Sequence, residues 1–97
     1  MDMKELEDIR QELDAVDRRI VALFEQRMAL ARDVAAYKMA HGMQVLDRSR
    51  EEAVLASRVD MLRDGHWAGS VRALYEEIMR LSRAEQERIL KEAESHA

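Results

Sequence analysis

The chain contains no proline, and its three glycines all lie at or beyond position 42. Ahead of them, apolar residues recur every third or fourth position at Leu6, Ile9, Leu13, Val16, Ile20 and Leu23, and again at Leu30, Val34 and Tyr37. Steps that alternate between three and four put all of them on one stripe of an α-helix. The stripe breaks at Arg27, the most persistently charged kind of side chain. A helix of about 37 residues is roughly 55 Å long, whereas a compact domain of this size has a radius of gyration of about 13 Å. The rest of the chain is too short to cover such a stripe, and soluble monomers avoid exposing one. The expected remedy is a homodimer, with the long helices of two copies packed together about a two-fold axis.

Gly42, Gly65 and Gly69 divide the remainder of the chain. Helix one is expected over about 4–40, ending near His41 and Gly42, where glycine can take the left-handed conformation that stops a helix. Asp47 is a good N-cap for helix two, about 47–63, with Val54, Leu55, Val59 and Leu62 on its inner face. The stretch "DGHWAGS" is the second connection, and Ser70 is expected to cap helix three, about 70–91. That helix is expected to carry Val71, Leu74, Tyr75, Ile78, Leu81, Ile89 and Leu90 inward. No stretch alternates apolar and polar residues as a strand does. The prediction is therefore all-α: a single domain over 1–97 with one long, one short and one medium helix, intertwined with a second copy.

Charged residues make up 37% of the chain and the formal net charge is −4. A mildly acidic surface argues against a nucleic-acid partner, which asks for a basic field. Without cysteine there is no disulfide and no thiolate metal site. His41, His66 and His96 form no ligand pair at helical spacing, so no metal is expected. No apolar run has the length of a membrane span, and the first residues are too acidic for a secretory signal; a cytoplasmic protein is expected.

The informative residues are polar ones on inward faces. Lys38 follows Arg27 by eleven residues, or three turns, so the two point nearly the same way about 16 Å apart. Arg10 stands about 25 Å from Arg27 along the axis. No one metabolite reaches both on one helix, but an antiparallel partner helix could bring its own Arg10 there. Glu51, four residues before Leu55, can face inward from the first turn of helix two, next to Arg50. Ser82 and Gln86 stand one turn apart on the face of Ile78 and Ile89. Each has an ordinary explanation when taken alone: a cation snorkelling to water, a salt bridge from Arg10 to Asp14, a hydroxyl bonded to its own helix. Taken together they bring several cations, a carboxylate, a hydroxyl and an amide to inward faces. Burying them uncompensated would be prohibitive. Something anionic should neutralise them.

In these residues the sequence resembles the all-helical, homodimeric chorismate mutases, which convert chorismate to prephenate. The resemblance covers nearly the whole chain. It is carried by Arg10 in "IRQELDAVD", Arg27 in "LFEQRMALA", Lys38 in "AAYK", the run Asp47-Arg48-Ser49-Arg50-Glu51, and Ser82 with Gln86 in "LSRAEQ". It implies that Arg27 and Arg10 of the partner subunit pair with the two substrate carboxylates, with Arg50 nearby and Ser82 assisting at the ring carboxylate. It implies that Lys38 and Gln86 hydrogen-bond the ether oxygen of the breaking bond, and that Glu51, helped by backbone near Asp47, takes the ring hydroxyl. The family often has a proline just before its Asp-x-x-Arg-Glu run, where this chain reads Met43-Gln44-Val45-Leu46. An intramolecular pericyclic rearrangement needs no nucleophile, metal or redox cofactor, so the resemblance implies none.

Two rivals stand beside this reading. One is isochorismate pyruvate lyase, a sibling activity on the same fold, against which the ring-hydroxyl contact expected of Glu51 argues. The other is a non-catalytic helical dimerisation module, which predicts a Leu and Ile seam without Arg27.

Overall fold

The computed structural model describes residues 3–96. They form three α-helices, α1 (Leu6–Ala40), α2 (Arg48–Asp60) and α3 (Ala68–Ser95), with a 3₁₀ turn over Gly65–Trp67 before α3. There is no strand among the described residues. Among the described residues no helix is long and apolar enough to cross a membrane. The chain divides into two compact units with the boundary between Leu30 and Ala31.

The first unit holds the early turns of α1. Glu7 and Asp8 occupy its first turn, where acidic side chains complement the positive end of the helix dipole. Lys4 donates to both carboxylate oxygens of Glu12, at 3.0 and 2.8 Å, an exposed pair that adds little stability. The apolar seam of this unit (Leu6, Ile9, Leu13, Val16, Ile20 and Leu23) is exposed in the single chain.

The second unit starts with the last turns of α1, where Ala31 and Ala35 are buried. Gly42 ends that helix with φ +64°, in the left-handed region that favours glycine. The Met43 N–H donates back to the Lys38 carbonyl at 2.8 Å and the Gly42 N–H to that of Met39 at 3.4 Å. This is the Schellman arrangement, which satisfies carbonyls the helix leaves open. Asp47 caps α2 by accepting from the Arg50 N–H at 3.0 Å. Helix α2 stops at Asp60, short of position 63, because Met61 and Leu62 bond to Arg58 and Val59 in a tighter three-residue pattern.

The start of α3 differs from the sequence expectation. Ser70 is not an N-cap but lies inside the helix, which begins at Ala68. The capping is done earlier, by Asp64, whose side chain accepts from the His66 N–H at 2.9 Å. The 3₁₀ turn so fixed runs straight into α3, leaving no free helix end for Ser70 to cap. The far end extends to Ser95 rather than about 91, where Arg88 pairs with both Glu85 and Glu92 across one turn.

Val54 and Leu55 of α2 pack with Met79 of α3, and Tyr75 closes over them. Burying each such aliphatic side chain contributes about 1.5–3 kcal/mol. The buried row of α3 is Tyr75, Met79, Ser82 and Gln86, at helical steps of four, three and four, with Tyr75 at its half-buried edge. Leu74, expected to point inward, is instead 56% exposed. It sits one residue, and so about 100°, away from Tyr75 around the helix.

Candidate active site

The candidate residues of the second unit gather around the buried face of α3. Ser82 and Gln86 are both nearly inaccessible, at 8% and 6% exposure. The Gln86 side-chain amide donates to the Ser82 hydroxyl at 3.2 Å. The Gln86 Oε1 is buried without a hydrogen-bond partner among the described residues. Such an atom carries a desolvation penalty of about 1–3 kcal/mol unless another polar group meets it. Since a hydroxyl both donates and accepts, Ser82 can hold the amide in either orientation and leave its N–H or its carbonyl for that group.

Both flanks of this face are fixed by ion pairs. On one side Arg32 of α1 reaches Glu85 at 3.5 Å, one residue before Gln86. On the other side Arg83, one residue after Ser82, pairs with Glu51 in the first turn of α2. The Ser82–Gln86 pair therefore lies on the strip of α3 between α1 and α2. Glu51 itself stands one turn before the buried Val54 and Leu55, and is half-buried.

Lys38 continues the buried row Ala31, Ala35 by three further positions and is half-buried. Its ammonium donates to the Val45 carbonyl at 2.6 Å. Its own carbonyl accepts from Met43, so both ends of the residue are tied to the same short loop. The loop has no proline, and these two bonds help hold it to α1. An ammonium has three donors, so the bond to Val45 leaves two for a ligand.

Asp47 and Arg50 are exposed, and the Asp47 carboxylate is engaged in capping α2. Arg10 is exposed and Arg27 half-buried, both in the first unit. That unit has a groove of about 470 Å³ lined by Asp14, Asp17, Arg18, Val21, Ala22 and Glu25. It contains no candidate residue, and three carboxylates against one guanidinium make it a poor seat for an anion.

Sequence reasoning passes over Arg83. The signal is present: Arg83 stands four residues after Met79 and three before Gln86, on the edge of the same row. What spacing cannot supply is its partner, 32 residues away on another helix.

Ionisation at the edges is set by the ion pairs. The Arg88 guanidinium hydrogen-bonded to Glu85 holds that carboxyl below the usual carboxylate range, with Arg32 assisting. Arg80 does the same for Glu77.

Residues 9–87 match the family described as chorismate mutase type II. Among curated proteins, the chain is 38% identical over 56 residues to the T-protein of Haemophilus influenzae, a match covering 58% of this chain and 15% of that protein. It is 33% identical over 58 residues to the "Intracellular chorismate mutase" of Mycolicibacterium smegmatis, covering 60% of this chain and 56% of that one. The matched stretch thus spans less than two thirds of the length of either relative.

Proposed function

The chain belongs to the type II chorismate mutase family, and on that premise we propose that it rearranges chorismate to prephenate, in the cytoplasmic route to phenylalanine and tyrosine. The observation that carries the reading is the buried Ser82–Gln86 pair, in which Ser82 can hold the amide turned so that its N–H is left for a ligand, on a strip bordered by the helix of Lys38 and the helix of Glu51.

The reaction breaks a C–O bond and makes a C–C bond within one molecule. Its barrier falls when the enolpyruvyl arm is held folded over the ring, an orientation problem in which effective concentration does the work. As the C–O bond stretches, negative charge grows on the ether oxygen. Lys38 and Gln86 donate hydrogen bonds to that atom, and because the charge is larger in the transition state, they stabilise it more than the bound substrate. Arg27, with Arg10 of the partner subunit, pairs with the two carboxylates; Arg50 adds positive charge and Ser82 assists at the ring carboxylate. Glu51 accepts from the ring hydroxyl, beside the backbone at Asp47. No step moves a proton to or from the protein.

The active species in this reading is a homodimer. It is supported by the exposed seam of Leu6, Leu13, Ile20 and Leu23, a row that a second copy of α1 would cover.

The test is loss of chorismate absorbance with prephenate identified as the product, and isochorismate offered separately. Turnover of chorismate to prephenate supports the reading. Release of pyruvate from isochorismate alone would replace it with the lyase, and inertness of the folded protein towards both would leave a dimerisation module.

A further inference from the structure

Among the described residues two ion pairs join α2 to α3, and they differ in kind. Arg72 and Glu52 meet at 3.3 Å with side chains 45% and 69% exposed, a surface staple worth little in water. Arg83 and Glu51 meet where both are largely covered, at 29% and 24% exposure. The second pair touches at one point, Arg83 Nη1 donating to Glu51 Oε1. A two-pronged guanidinium–carboxylate contact would use both oxygens; here Oε2 keeps its capacity to accept.

We infer that Arg83 is a positioning residue for substrate recognition: it aims the Glu51 carboxylate at the ring hydroxyl and makes that carboxylate tolerable beside a dianionic ligand. The inference rests on the assignment of Glu51 under the proposed function. Two physical needs support it. A carboxylate at the mouth of an apolar face, one turn before Val54 and Leu55, needs a partner that replaces lost hydration. A bare carboxylate facing a doubly negative substrate also raises that substrate's energy, and an adjoining guanidinium cancels most of the repulsion. Arg83 meets both needs from a fixed base, because its helical neighbours Met79, Ser82 and Gln86 are all buried. Since the hydroxyl is held alike before and during the rearrangement, loss of Arg83 weakens binding and leaves the chemical step nearly untouched.

The experiment measures kcat and KM for chorismate, with inhibition constants for two dicarboxylate analogues that differ only in the ring hydroxyl. Wild type, Arg83→Ala, Arg83→Lys, Glu51→Ala and the double variant are compared, with circular dichroism confirming the fold of each. Arg83→Ala is expected to raise KM on the order of tenfold at nearly constant kcat, equivalent to about 1.4 kcal/mol. It should weaken the hydroxyl-bearing analogue more than the other, which loses only the screening of the Glu51 charge. Arg83→Lys should restore part of the loss, and the double variant should be no worse than Glu51→Ala. Equal weakening of both analogues by Arg83→Ala, or additive losses in the double variant, would reduce Arg83 to a structural staple. If Glu51→Ala itself fails to distinguish the analogues, the assignment of Glu51 falls and the inference with it. If Glu51→Ala distinguishes them and Arg83→Ala does not, the inference alone fails.

Discussion

Gln86 donates to Ser82 one turn away at 3.2 Å, and its own carbonyl oxygen is left buried without a partner among the described residues. A neutral amide in this place has a consequence for pH. It neither gains nor loses a proton near neutrality, so the hydrogen bond it gives is constant.

Replacing that amide by a carboxyl makes the donor titratable. Gln86→Glu should be active only while the new side chain is protonated, because the ionised form accepts hydrogen bonds and repels the developing oxyanion. Activity is expected to rise as pH falls through the carboxyl pKa, whereas wild type should be nearly flat from about pH 6 to 8. Profiles of kcat/KM against pH for the two proteins make the comparison; parallel profiles would remove Gln86 from the ether oxygen.

Lys38 is expected to act on charge that appears only during bond breaking. Lys38→Ala should therefore lower kcat by roughly 10²–10³. The substitution also removes the bond to Val45 that fastens the loop, so Tm is measured alongside. An unchanged kcat in a folded variant would exclude Lys38 from the mechanism.

If each site takes Arg27 from one chain and Arg10 from the other, two inactive variants can repair each other. In a mixture of Arg10→Ala and Arg27→Ala, random exchange makes half the dimers mixed, and each of those has one intact site. The expected recovery is about a quarter of wild-type activity. Sedimentation verifies the dimer, and native mass spectrometry with one variant isotope-labelled verifies its exchange; no recovery after exchange would rule out a shared site.

The pairs along α3 set a further test. Because Arg88 lowers the folded-state pKa of Glu85, the stability this carboxylate contributes is present above its unfolded pKa and lost as pH falls through the folded one. Arg88→Ala should move the Glu85 titration, monitored by carboxyl chemical shifts, up towards the ordinary value. It should also flatten the decline of Tm on acidification.

Much of this molecule is written in short-range patterns. The helical period, the left-handed stop at Gly42 and the cap at Asp47 depend on residues within one or two turns, so spacing and side-chain chemistry reveal them directly. The same period puts Ser82 and Gln86 on one face of one helix, with no knowledge of what faces them. Short-range patterns mislead where two local signals compete. Asp64 and Ser70 are both good caps, and the 3₁₀ turn decides for the first.

Contacts between helices are of another kind. Glu51 finds Arg83 across 32 residues, and Arg32 finds Glu85 across a greater span, only because α1, α2 and α3 converge in the second unit. The crossing of α2 and α3 comes from the packing of Val54, Leu55 and Met79, and no interval along the chain encodes it. A charge on a helix face has several acids or bases within reach in principle; which one it meets is a property of the assembled core.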